Sequence, residues 1–263
     1  MVQISSLSRL IRGAPWRMSL IHGAYQARVI WITHGHARVL LGARLRGTGV
    51  HNFLYIPAGD PFALEAGPGF NGHLVTLPEN SRTIWPQSPL QLRVRDGATQ
   101  AEVSGVFEAL LREHMGQRPM HEDAMAAHLQ LMSIWLGRQM ELPETIPETS
   151  TAADRLSEAF LMDVELNYAR GETMSAYARR LGVTPTHLTR VCKSQLGHSA
   201  ADLIAQRTLY AARDLLETTR HPAKAIAASL GFSAAATFSR FIQTQTGQSP
   251  LTLRKAARNA PLL

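Results

Sequence analysis

The chain of 263 residues has one cysteine, Cys192. A lone thiol excludes an intrachain disulfide and a cysteine-based zinc cluster. The N-terminal residues lack the apolar run of a signal peptide, and no stretch approaches the ~20 apolar residues of a membrane span. These absences lead to the expectation of a cytoplasmic protein with no membrane partner. Acidic residues are also scarce in the last third. Residues 1–150 hold 13 Lys+Arg against 12 Asp+Glu, but from Gly171 onward the count is 12 against 4. A local excess of that size fits a polyanionic partner, although charge alone also fits a merely basic soluble domain.

What is present is a repeat. Met174, Tyr177, Ala178 and Leu181 lead to Gly182-Val183-Thr184, while Ala223, Ile226, Ala227 and Leu230 lead to Gly231-Phe232-Ser233. Spacing of i, i+3, i+4 and i+7 is the apolar stripe of a helix. Each glycine is placed to stop that helix at positive φ, and Thr184 or Ser233 is placed to cap the next one. The second helices end near Gly197 and Gly247. Helix, tight turn, helix is a DNA-reading unit, here written about over 173–197 and 222–247. The copies align at an offset of 49 through the turn and of 50 from Leu188/Phe238 onward. That shift places one extra residue at the start of the second recognition helix. Ser199–Thr218, with Leu203, Ala211, Ala212, Leu215 and Leu216, reads as a linking helix that would hold both units at fixed separation. Successive major-groove turns lie roughly 34 Å apart.

Helical faces distinguish the two copies. In the first, Leu188, Val191 and Cys192 fall inward, and Thr186, Thr189, Arg190 and Lys193 fall outward. Arginine can pair with guanine O6 and N7, and threonine can touch a thymine methyl or a phosphate. In the second, Phe238, Phe241 and Ile242 fall inward and Ala236, Arg240 and Gln243 outward. Arg179 and Arg180 read as solvated or phosphate-facing. Cys192, on an inward stripe, reads as an inert core thiol rather than a redox sensor, which would be exposed.

The first hundred residues carry short β-branched and aromatic runs: Ala27–Thr33, Ala37–Gly42 and Asn52–Ile56. Gly35, Gly47-Thr48-Gly49 and Pro57-Ala58-Gly59-Asp60-Pro61 read as the turns between them. Such punctuation suggests a sandwich or barrel. From Thr99 the period becomes helical, with one stripe at Val103, Phe107, Leu110 and Leu111 and another at His128, Leu131, Met132 and Trp135, separated by Pro119. Leu142–Ser150 carries two prolines and is the linker candidate. Residues 152–169 form one more helix.

The run LGVTPTHLTRVCKSQLGHS, a linking helix, then LGFSAAATFSRFIQTQTGQSP resembles the AraC/XylS family of bacterial transcription regulators over about a hundred C-terminal residues. The resemblance implies that Thr184, Thr186, His187, Thr189, Arg190 and Lys193, with Ser233, Ala235, Ala236, Thr237 and Arg240, face bases or phosphates. Ala234, Ala235 and Ala236 depart from the polar or acidic residue common there, so the second unit is expected to read less sequence than the first. Cys192 stands where a larger apolar residue is usual. The implied partners are double-stranded DNA, RNA polymerase, a small-molecule effector and a second copy of the chain, in a regulator of activator type.

The strand-rich half is similar to the cupin-like sensor domain of that family. Pro57-Ala58-Gly59 supplies the PxG core of a cupin's second motif, but Phe62 stands where a metal-binding cupin has histidine. A ring carbon cannot ligate a metal, which disfavours a cupin enzyme. His34 and His36 flank Gly35 without a third ligand at a clear spacing, and they read as turn residues. Trp31, Phe53, Tyr55 and Phe62 are candidates for lining an effector cavity, and the same residues would equally fill a barrel interior.

The resulting expectation is an α+β protein with a cupin-like β-barrel (1–98), a helical and potentially dimerising segment (99–141), a linker (142–151) and an all-α tandem helix-turn-helix domain (152–263). It is expected to be no enzyme, with no cofactor, catalytic residue or metal. Two rivals are a metal-dependent cupin fused to a DNA-binding tail and a non-specific architectural DNA binder.

Overall fold

The computed structural model describes residues 2–79, 85–142 and 150–259. Most of the Leu142–Ser150 linker candidate lies outside the described residues. The chain divides into two compact units. One comprises Met1–Arg12, Gly23–Gly42 and Arg46–Ser150, and the other Gly13–His22, Ala43–Leu45 and Thr151–Leu263.

Among the described residues, nine strands form two antiparallel-paired sheets. They are β1 (Gln3–Ser6), β2 (His22–Gly23), β3 (Arg28–His34), β4 (His36–Leu41), β5 (Arg44–Gly49), β6 (Asn52–Ile56), β7 (Pro61–Ala66), β8 (Asn71–Thr76) and β9 (Leu90–Arg93). The sheet orders are β1-β8-β3-β6-β9 and β2-β7-β4-β5. In the central ladder Arg28 pairs with Ile56 and Ile30 with Leu54. Because side chains alternate along a strand, Trp31, Phe53, Tyr55 and Val75 share one face of the larger sheet. Ile30, Ile32, Leu54 and Ile56 take the other face, and they too are buried. Arg28 lies over the Phe62 ring of β7 at 5.3 Å, which brings the two sheets face to face. The α+β class holds, but the sheets stay open instead of closing into a barrel.

Strand β5 corrects one turn assignment. Gly47-Thr48-Gly49 is part of the strand, with Thr48 buried, and the chain reverses at Val50-His51 instead. The Asn52 side-chain amide closes that turn by donating to the Gly49 carbonyl at 2.9 Å. A β-branched residue that buries its methyl outweighs the turn tendency of its glycine neighbours.

Helix α1 (Leu7–Gly13) and the single turn α2 (Trp16–Ser19) follow β1. Helix α3 (Gly97–Gly116) begins two residues before Thr99, where Asp96 accepts a hydrogen bond from the Thr99 backbone N–H at 2.8 Å. That bond also holds the Asp96 carboxyl below its ordinary range. Val103, Phe107 and Leu110 are buried along it. Helix α4 (His121–Met140) buries Met125, Leu129, Met132, Trp135 and Leu136. The expected stripe was therefore rotated: Leu131 is exposed, and Leu129 takes the inward place. Trp31, Phe53, Phe107 and Trp135 form a continuous aromatic core, with Phe53 and Trp135 ring centres 5.0 Å apart.

The second unit consists of α5 (Ala152–Asn167), a 3-10 turn (Tyr168–Arg170), α6 (Met174–Arg180), α7 (Pro185–Leu196), α8 (Ala200–Thr218), α9 (Ala223–Ser229), α10 (Ala235–Thr246) and α11 (Pro250–Asn259). Thr151 and Ser199 open α5 and α8 with reciprocal capping boxes to Asp154 and Asp202. Arg207 of α8 donates to both oxygens of Glu165 on α5, at 2.6 and 2.7 Å, and lies 3.7 Å over the Tyr168 ring. Segments distant in sequence complete the unit. Trp16 meets Tyr210 edge-on at 5.2 Å, His22 stacks on the same ring at 3.9 Å, and Arg17 pairs with Asp214 at 3.0 Å. Arg44 forms a two-pronged pair with Asp154, and Ser157 donates to the Ala43 carbonyl. The Arg44 guanidinium holds the Asp154 carboxyl well below the usual carboxylate range.

Candidate DNA interface

Each helix-turn-helix is positioned by its buried stripe. Tyr177 and Ala178 of α6 and Leu188, Val191, Cys192 and Leu196 of α7 are buried, as are Ile226 and Ala227 of α9, Leu230 after it, and Phe238 and Ile242 of α10. Gly182 and Gly231 both take positive φ, 67° and 76°. At Gly231 there is a second requirement, because a Cβ would lie 2.4 Å from the Gly171 nitrogen. Two turns of backbone touch there, and only glycine permits it.

The two turns differ by one residue. Thr184 caps α7, its hydroxyl accepting from the His187 backbone N–H at 3.2 Å, with Pro185 at the first helical position. Ser233 does not cap α10. The N-cap is Ala234, fifty positions after Thr184, and it offers no side-chain bond. The extra residue therefore lies in the second turn, ahead of the cap, rather than at the start of the recognition helix. Phe232 anchors this longer turn against Phe238 and Phe241, with ring centres 5.3 and 5.4 Å away.

Thr186, Arg190 and Lys193 are exposed on α7, and His187 and Thr189 are half-buried beside them. Four of these five, with Met174 and Pro185, border an open depression of about 480 Å³; His187 does not. Within the group, Arg190 donates from a terminal guanidinium nitrogen to His187 Nδ1 at 3.1 Å. That geometry needs the neutral ring with its proton on Nε2. The i, i+3 spacing that makes this bond was visible in the sequence, but the bond itself was not anticipated. On α10, Ala235, Ala236, Thr237, Arg240 and Gln243 are exposed, as is Ser233 before it.

Several other cations in this unit are engaged inside it. Arg180 pairs with Asp163 at 3.0 Å and with Glu172, and lies 4.6 Å over the Tyr177 ring. Arg180 is nonetheless exposed, so solvent reaches it as expected, with its charge already met by two carboxylates of the unit. Arg207 and Arg213 pair with Glu165 and Glu217, and Arg254 donates to the Leu216 and His221 carbonyls. Cys192 is fully buried, and burial pushes its thiol up to about 12, so it carries no thiolate at neutral pH.

In the strand-rich unit, Trp31, Phe53 and Phe62 are core residues. Trp31 donates its indole N–H to Ser104 Oγ at 3.2 Å, and Phe53 packs on Phe107 and Trp135. Tyr55, also an effector candidate, borders a pocket of about 470 Å³. His34 and His36 are exposed at the β3–β4 turn, and His34 Nδ1 lies 3.1 Å from Thr33 Oγ1. Among the described residues no group of three or more His, Cys, Asp or Glu is placed to hold a metal ion.

A family model described as a helix-turn-helix domain matches residues 177–256. The HTH-type transcriptional regulator Rv1931c of Mycobacterium tuberculosis is 37% identical over 79 residues, which is 30% of each chain. Among solved structures, ToxT from Vibrio cholerae strain SCE256 with bound unsaturated fatty acid is similar at 13% identity. That match covers 96% of this chain and 94% of the other, with a TM-score of 0.45. A transcriptional regulator from Chromobacterium violaceum, described by its AraC-type DNA-binding domain, is 23% identical over 39% of this chain and 92% of its own, with a TM-score of 0.36. Residues 177–256, which span most of the two helix-turn-helix units and the stretch joining them, therefore form a helix-turn-helix domain of the AraC type.

Proposed function

We propose that the protein is a sequence-specific transcriptional regulator whose α7 and α10 enter the major groove of double-stranded DNA. The observation that carries this is the composition of the open face of α7, where Thr186, Thr189, Arg190 and Lys193 stand together. Two hydroxyls and two cations on one helical face suit base edges and phosphates. His187 sets the direction of Arg190, and Thr184 with its cap aligns the first turn of the helix. The second unit is the weaker reader: Ala235 and Ala236 offer only apolar contact, Ser233 and Thr237 contribute hydroxyls, and Arg240 carries the base-specific pairing. The strand-rich unit adjusts this activity through an effector or through pairing with a second copy. Leu131 and Ile134, exposed three residues apart on α4, support the pairing.

The experiment is selection of the bound sequence from a random duplex pool, followed by titrations at matched salt. Arg190→Ala and Arg240→Ala should each weaken the selected site by about 1–3 kcal/mol while leaving folding intact. Unchanged affinity in both would overturn the residue assignment. Equal affinity for every duplex of the same length would identify an architectural binder instead. In the same titrations a paired protein saturates its site with two chains, and saturation by one would remove the pairing.

A further inference from the structure

The open depression of about 480 Å³ is built by two helices of the first helix-turn-helix. Met174, the first residue of α6, and Pro185, the first of α7, give it side chains with no hydrogen-bond donor. Thr186 and Thr189 on α7 each add a methyl beside a hydroxyl, and Arg190 and Lys193 add positive charge. Arg190 is turned toward His187 by the 3.1 Å bond between them. The second unit is built differently at the matching places. Ala223 opens α9 where Met174 opens α6, and Ala235 opens α10 where Pro185 opens α7. A methyl reaches less far than a thioether chain or a pyrrolidine ring, so the first unit carries the larger apolar wall.

A major groove offers such a wall one apolar partner. Guanine, adenine and cytosine present donors and acceptors there, and thymine adds its 5-methyl group. A polar base edge held over Met174 and Pro185 would lose water and gain no bond. A phosphate would leave its oxygens unanswered on the same wall, although Arg190 and Lys193 suit phosphates on their own side. A methyl group gains by leaving water for an apolar surface.

We infer that the depression seats the 5-methyl group of a thymine, next to the base edge that Arg190 meets. The inference rests on the reading that α7 enters the major groove, and it names one base that α7 selects. The preferred site is first selected from a random duplex pool with the full chain. Each thymine in it is then replaced singly by uracil, which keeps every hydrogen-bonding group and lacks only the methyl. One such replacement should weaken binding about fourfold, the worth of one buried methyl-sized group. In Met174→Ala that penalty should vanish, and in Met174→Leu, which keeps the apolar volume, it should persist. Indifference of the unaltered protein to uracil at every position would overturn the inference and leave the groove reading intact. Survival of every uracil penalty in Met174→Ala would overturn it in the same way. A pool that yields no preferred sequence would remove the groove reading itself, and the inference with it.

Discussion

The Arg207–Glu165 pair shows how a single side chain is held. Its partners come from α8 and α5, both side chains are largely buried at 8% and 16% exposure, and Tyr168 covers the guanidinium face. A desolvated cation is tolerable there only because a carboxylate meets it with two bonds. Glu165→Ala should therefore destabilise the helical unit by about 3–5 kcal/mol, read as a lower urea midpoint, because it leaves the charge buried and unanswered. Replacing both residues by Leu and Met should recover a large part of the loss. A Glu165→Ala effect below about 1 kcal/mol, the size of an exposed pair, would refute this account. Neither residue attracted notice in the sequence. Nothing local marks two ionisable residues 42 positions apart as partners, since the pairing is created by how the helices pack.

At the level of the element, the helix-turn-helix units were legible because their determinants are local. A glycine at positive φ, an apolar stripe and a hydroxyl cap are all read from a few neighbouring residues. The one error in them, Ser233 for Ala234, arose because the longer second turn is held by Phe232 packing rather than by a capping hydroxyl. An uncapped α10 follows. Ala234 has the extended backbone, φ −145° and ψ 143°, that an N-cap requires. Ala234→Ser should thus stabilise the unit by about 0.5–2 kcal/mol in chemical denaturation, and an unchanged midpoint would count against the cap assignment. Strands were less legible. β6 is buried on both faces, so it shows no alternation, and it was found by its β-branched and aromatic residues. β5, with two glycines, reads locally as a turn. The inward face of α4 was misplaced by Leu131, whose apolar side chain is turned to solvent. Of the candidate site, the outward residues of α7 and α10 followed from helical periodicity, whereas the pocket beside Tyr55 depends on three loops meeting and has no signature in any one of them.

For the whole molecule, the two compact units do not follow the order of the chain. Residues 13–22 and 43–45 belong to the helical unit, although more than a hundred residues separate them from its main body at Thr151. The Arg17–Asp214 and Arg44–Asp154 pairs span 197 and 110 positions. Closing loops of that length costs entropy before any contact is made, and proteins rich in such contacts fold slowly. During synthesis Trp16 and His22 leave the ribosome long before the Tyr210 ring they will cover. The helical unit is in this sense finished from both directions: its later helices complete a surface whose first pieces were made more than a hundred residues earlier.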